Sequence, residues 1–142
     1  MERLALAAIL MGVAAAAAFV LRRRAATAPP TQAKWAVPTQ LDRDDFSAGE
    51  LEWLVVVFTS ATCDSCMEAV AKSQVLASPQ VGFQEVTYQD RKDLHTRYGV
   101  EVVPTIVMAD AQGVVQASFV GVPSATDLWA ALAAARSAPS EP

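Results

Sequence analysis

The chain has 142 residues, 53% hydrophobic and 18% charged, which suits one packed domain with a short appendage and excludes a disordered polypeptide. Two cysteines are too few for a disulfide-stapled scaffold, so the core must form by ordinary burial. Residues 1–24 hold four of the eleven Lys/Arg and one of the fifteen Asp/Glu, leaving seven basic against fourteen acidic residues in an otherwise acidic chain with no basic stripe, which sets nucleic-acid binding aside.

Residues 4–21, "LALAAILMGVAAAAAFVL", run for 18 positions without a charge. A helix of that length reaches about 27 Å, just enough to span a hydrocarbon core. A buried helix and a cleavable secretion signal are the competing readings. The segment is apolar on every face, which disfavours the first. Its positive charge, Arg22, Arg23 and Arg24, lies after the apolar run, which disfavours the second. The expectation is a single-pass membrane anchor over residues 1–24. The arginine flank places the rest of the chain in the cytoplasm, with an extracytoplasmic domain as the alternative. Residues 25–38, "AATAPPTQAKWAVP", lack an apolar period and read as a semi-extended linker. Trp35 within it is expected at the domain edge or near lipid headgroups.

A folded domain is expected over residues 39–137, with a short disordered tail at 138–142. "LDRDDFSAGELEW" reads as a turn and a short helix, capped by Asp42 or Ser47. "WLVVVFTS", residues 53–60, is continuously apolar and β-branched, the pattern of a central strand covered on both faces. The two cysteines follow at once in "TSATCDSCMEAV". A helix comes next, with Met67, Val70, Ala71 and Val75 as its expected inward face. "VGFQEVTYQ" alternates as a second strand. "DRKDLHTRYGV" predicts a helix capped by Asp90, with Leu94 and Tyr98 inward, His95 on the surface and Gly99 as the stop. Two strands flank a turn at residues 110–113. The last helix starts at Ser124, with Asp127 three residues on as in a capping box. Leu128, Trp129, Leu132 and Ala133 are its expected buried face. The order β-α-β-α-β-β-α implies a mixed sheet with helices on both sides.

Cys63 and Cys66 are spaced so that their sulfurs can bond across a helix start. The helix dipole and unpaired N–H groups there stabilise a thiolate on the first cysteine, while the second is more buried. Cys63 is thus the candidate nucleophile and Cys66 the candidate resolving thiol. Other readings stay open. A zinc site needs two further ligands, and His95, the only histidine, lies in another helix. Met67 offers a soft sulfur to Cu(I). A structural disulfide closing so short a loop constrains the unfolded chain little.

The stretch "WLVVVFTSATCDSC…YGVEVVPTIVMADAQGVVQASFVGVPS" resembles the thioredoxin superfamily over roughly residues 40–136. The strand running into Cys63-Asp64-Ser65-Cys66, the Pro104 of "YGVEVVPT" and the glycines Gly113 and Gly121 carry the resemblance. It implies a thioredoxin-like three-layer α/β/α fold with a mixed central sheet, preceded here by the N-terminal transmembrane helix. It also implies a cis Val103–Pro104 bond beside the cysteines and substrate contacts at Thr62, Val103 and Pro104. The implied activity is thiol–disulfide exchange with a protein substrate and a separate electron donor, which could be a membrane protein. No dissociable cofactor or metal is implied, because the redox group is the cysteine pair. The sequence departs from the family in places. Thr62 replaces a tryptophan, Asp64 and Ser65 replace Gly-Pro as tuning residues, Val57 replaces a buried aspartate, and the partner lysine falls at Glu85. These departures keep a second class in view, a non-catalytic thioredoxin-like binding module, with Cys/Met metal handling as a third.

Overall fold

The computed structural model describes residues 35–138. The anchor expected at residues 4–21, most of the linker and residues 139–142 of the tail lie outside the described residues. Among the described residues no helix is long and apolar enough to cross a membrane.

Four strands form one sheet: β1 (Trp53–Thr59), β2 (Val81–Thr87), β3 (Thr105–Ala109) and β4 (Val115–Val120), in the spatial order β2-β1-β3-β4. β1 runs parallel to β2 and antiparallel to β3, and β3 pairs antiparallel with β4. All seven residues of β1 are buried, as its unbroken apolar run requires of a strand covered on both faces. Its side chains alternate between two cores. Trp53, Val55 and Val57 join Ala69, Leu76, Leu128 and Leu132, which come from or adjoin the helices α1 (Cys66–Gln74) and α3 (Ala125–Ser137). Leu54, Val56 and Phe58 join Leu41 and Phe46 of the leading segment and Leu94 of α2 (Lys92–Arg97). The architecture is therefore three-layered, with a mixed sheet in the middle.

The leading segment is pinned rather than trailing. Pro38 and Leu41 are buried, Gln40 bridges Val114, and Asp42 caps a single 3-10 turn at Arg43–Asp45. The Arg43 guanidinium donates to the carbonyls of Gly49, Leu51 and Asp110, and burial lowers its pKa. Tyr98 donates its hydroxyl proton to Asp45 and accepts from the N–H of Asp42, so α2 and this segment are clamped together.

Several faces differ from the sequence expectation. The inward residues of α1 are Cys66, Ala69 and Ser73, followed by Leu76, with Val70 half-buried; Met67 is 81% exposed and Val75 57%. Ala71 is exposed as well; the inward stripe is built mainly of small side chains, so of the expected inward residues only Val70 packs on the core. On α3, Leu128 and Leu132 are buried as expected, but Trp129 is 52% exposed and Ala133 is exposed; Ala131 and Ala135 pack inward instead. His95 is not a surface residue. It is 2% exposed, its Nε2 lies 2.9 Å from the Val86 carbonyl, and Phe58 and Tyr88 meet its ring edge-on. One satisfied ring nitrogen and two aromatic contacts let it replace an apolar residue there. Asp90 does not cap α2, which begins after Arg91 without a side-chain cap. Ser124 does cap α3, accepting from the Asp127 N–H at 3.1 Å. Gly113 and Gly121 have φ of 79° and 91°, values that favour glycine at the β3–β4 turn and after β4.

Candidate functional site

β1 ends at Thr59, and the chain turns through Ser60, Ala61 and Thr62 before reaching Cys63. Cys63 and Cys66 are joined by a disulfide with their Cα atoms 5.4 Å apart. Cys66 is the first residue of α1 and is 3% exposed; Cys63 lies in the turn before the helix and is half-buried. The expected asymmetry is present: one sulfur is approachable and the other is covered. The Cys66 N–H donates to the Cys63 carbonyl at 3.2 Å, which folds the pair into the helix entry.

Asp64 and Ser65 are exposed between the cysteines. Ser65 occupies the N-cap position of α1 but makes no side-chain cap. Its hydroxyl instead lies 3.7 Å from Cys63 Sγ. A hydroxyl there can donate to a thiolate once the disulfide opens.

Val103 and Pro104 lie immediately before β3, joined by a cis peptide bond. Thr105 pairs with Phe58 in the β1–β3 register, so these residues occupy the end of the sheet from which the cysteine loop departs. Pro104 is buried, and its carbonyl accepts from the Gly121 N–H at 2.8 Å. Val103 is half-buried, and its side chain packs against the α2-side core. Among the described residues neither its N–H nor its carbonyl is hydrogen-bonded.

The two departures inside the sheet have simple local solutions. Val57 is fully buried in the α1/α3-side core. Glu85, its register partner on β2, is exposed and accepts from the Thr59 hydroxyl at 2.7 Å. Neither supplies a buried proton acceptor beneath Cys66.

A residue that the sequence did not single out also shapes the site. Gln89, two positions past β2, accepts from the Ala61 N–H at 2.9 Å and donates to Ser60 Oγ at 3.1 Å. Parallel pairing of β1 with β2, ending at Thr59 and Thr87, brings residues at equal offsets beyond the two strands together. That offset was the only available signal, and polarity alone did not single Gln89 out. No three-residue grouping of His, Cys, Asp and Glu that could hold a metal occurs among the described residues.

No protein-family model matches the sequence, and no curated protein matches it. Solved structures do. A thioredoxin of Malassezia sympodialis is 19% identical with a TM-score of 0.53, over 70% of this chain and 95% of that one. Thioredoxin-2 of a malaria parasite, described as a component of protein secretion machinery, is 20% identical with a TM-score of 0.51, over 57% of this chain and 81% of that one. These likenesses show a thioredoxin-like fold.

Proposed function

We propose that this chain, a thioredoxin-superfamily fold with a CxxC disulfide at the end of its central strand, is a thiol–disulfide oxidoreductase acting on protein substrates. The observation that carries the reading is the unequal burial of the bonded pair, Cys63 half-buried and Cys66 3% exposed.

In the reduced protein the Cys63 thiolate attacks one sulfur of a substrate disulfide. A mixed disulfide forms and the other substrate sulfur leaves as a thiolate. Cys66, deprotonated, then attacks Cys63 Sγ. The internal disulfide closes and the second substrate thiol departs, so two electrons have passed to the substrate. The helix start and the Ser65 hydroxyl favour the Cys63 thiolate. The unpaired main chain of Val103 offers a donor and an acceptor to an extended substrate segment. A dithiol-bearing electron donor completes the cycle. If residues 4–21 anchor the chain, confinement to the membrane raises its effective concentration near membrane partners.

The test is a redox titration that follows Cys63 and Cys66 by thiol labelling, together with trapping in Cys66→Ser. A single two-electron transition and a substrate mixed disulfide on Cys63 are expected. Two independently titrating thiols with no trapped adduct overturn the proposal in favour of a binding module. Cys63→Ser then separates the two roles further, because it abolishes exchange and spares simple binding.

A further inference from the structure

The loop that carries Cys63 holds a chain of hydrogen bonds whose directions can be worked out. A main-chain N–H only donates, so the contact from Ala61 N–H at 2.9 Å must end on the amide oxygen of Gln89. The Gln89 Nε2 therefore faces Ser60 Oγ, 3.1 Å away, and donates to it. The Thr62 N–H points at the same oxygen from 3.4 Å. Ser60 Oγ thus accepts on both sides, and its single proton is left for its remaining neighbour, Thr62 Oγ1, at 3.2 Å. Thr62 is the acceptor in that bond. Its own hydroxyl proton is unused among the described residues, on an exposed side chain immediately before Cys63.

We infer that Gln89 is a positioning residue which, through Ser60, presents the Thr62 hydroxyl as a hydrogen-bond donor to a main-chain carbonyl of the incoming peptide disulfide. The inference rests on the exchange reading above and adds a preference to it. A peptide that brings its sulfur to Cys63 carries carbonyl acceptors on either side of that sulfur. A small disulfide without carbonyls has none to offer. Thr62 occupies the position where the family resemblance leads one to expect a tryptophan, so a polar donor replaces apolar contact area beside the nucleophile.

The experiment compares two substrates in the full chain, reduced beforehand. One is a disulfide-linked dimer of a short peptide, and the other is 2-hydroxyethyl disulfide, which carries no carbonyl. The readout is the ratio of the two second-order rate constants. Thr62→Val removes the donor and should lower the peptide-to-small-disulfide ratio about fivefold, the share of one hydrogen bond. Ser60→Ala breaks the relay while leaving the Gln89 bond to Ala61, and should lower the ratio in the same direction. Gln89→Leu should do likewise, and adding it to Thr62→Val should lower the ratio no further, because the residues act as one unit. A ratio unmoved by Thr62→Val overturns the inference, as does a fall in both rate constants together, which would mean the hydroxyl serves Cys63 itself. A wild-type protein that exchanges with neither disulfide overturns the exchange reading as well.

Discussion

Val57→Asp restores the acid that the family resemblance leads one to expect beneath the resolving thiol. Val57 is fully buried, in a core with Ala69, Ile106 and Leu128, and its register partners are Ile106 on β3 and the acidic Glu85 on β2. None of these offers a cation. The substitution loses the burial of a valine side chain, about 1.5 kcal/mol. An unpaired neutral carboxyl in its place costs roughly 1–3 kcal/mol more. Burial raises the folded-state pKa of such a group, by up to about 3–5 units. A raised pKa means the folded state holds the proton longer than the unfolded one. The variant is therefore least destabilised below the unfolded carboxyl pKa, near 4. It then loses about 1.4 kcal/mol for each pH unit above that until the folded pKa is reached. By pH 7 the extra loss reaches about 4 kcal/mol, comparable with the whole stability of many domains. Urea unfolding from pH 3.5 to 7 measures this as a midpoint that falls steadily in the variant relative to the wild type. A penalty of equal size at pH 4 and pH 7 would refute the reasoning, because it would mean that the carboxylate is hydrated and β1 is not covered on this face.

Four substitutions at other sites test separate parts of the structure. Asp64→Asn removes a negative charge next to Cys63, so the Cys63 thiol pKa should fall and its alkylation at pH 7 should quicken about two- to threefold; an unchanged or slower rate would remove Asp64 from the tuning residues. Burial, together with the hydrogen bond to Asp45, pushes the Tyr98 hydroxyl up to about 12. The folded pKa lies above the ordinary tyrosine value near 10, so the stability this group contributes is intact below pH 10 and is lost as the pH rises towards 12. Tyr98→Phe should be less stable at neutral pH and should lack that part of the alkaline loss, as read by unfolding midpoints at pH 8, 10 and 11.5. Gly113→Ala would place a Cβ 2.0 Å from the Leu41 carbonyl oxygen at a φ of +79° and should cost at least about 3 kcal/mol by chemical unfolding. Gly99→Ala, at a φ of +63° with nothing within 4 Å, should cost only about 1 kcal/mol.

The legible parts of the fold were those where one physical demand dominates the sequence. A strand covered on both faces must be apolar throughout, and residues 53–59 are. A helix start needs an acceptor for a free N–H, and Ser124 with Asp127 supplies one. A tight turn with positive φ needs glycine, and Gly113 is there. The bonded cysteine pair was legible for the same reason: two cysteines at that spacing, after a buried strand, lie close enough to join. Signals failed where two demands compete. His95 sits between Lys92, Asp93 and Arg97 in sequence, which suggests a solvated face, yet a single carbonyl on β2 satisfies its ring and the side chain goes inward.

The helix that carries Cys66 is the clearest conflict, and it bears on function. Its largest apolar residue, Met67, points to solvent, while Ala69 and Ser73 are fully buried. Small inward residues occupy the stripe that continues from Cys66, so the largest apolar side chain of the helix does not mark the face that meets the sheet. A larger inward side chain at position 69 or 73 would have to be accommodated against β1, whose residues are already packed. Accommodation would shift the helix entry, and with it Cys66, relative to the loop that Gln89 and Ser60 hold in place. The helix is thus fitted to the strand through small side chains, and the same close approach covers Cys66 while Cys63, in the turn before the helix, stays half-buried.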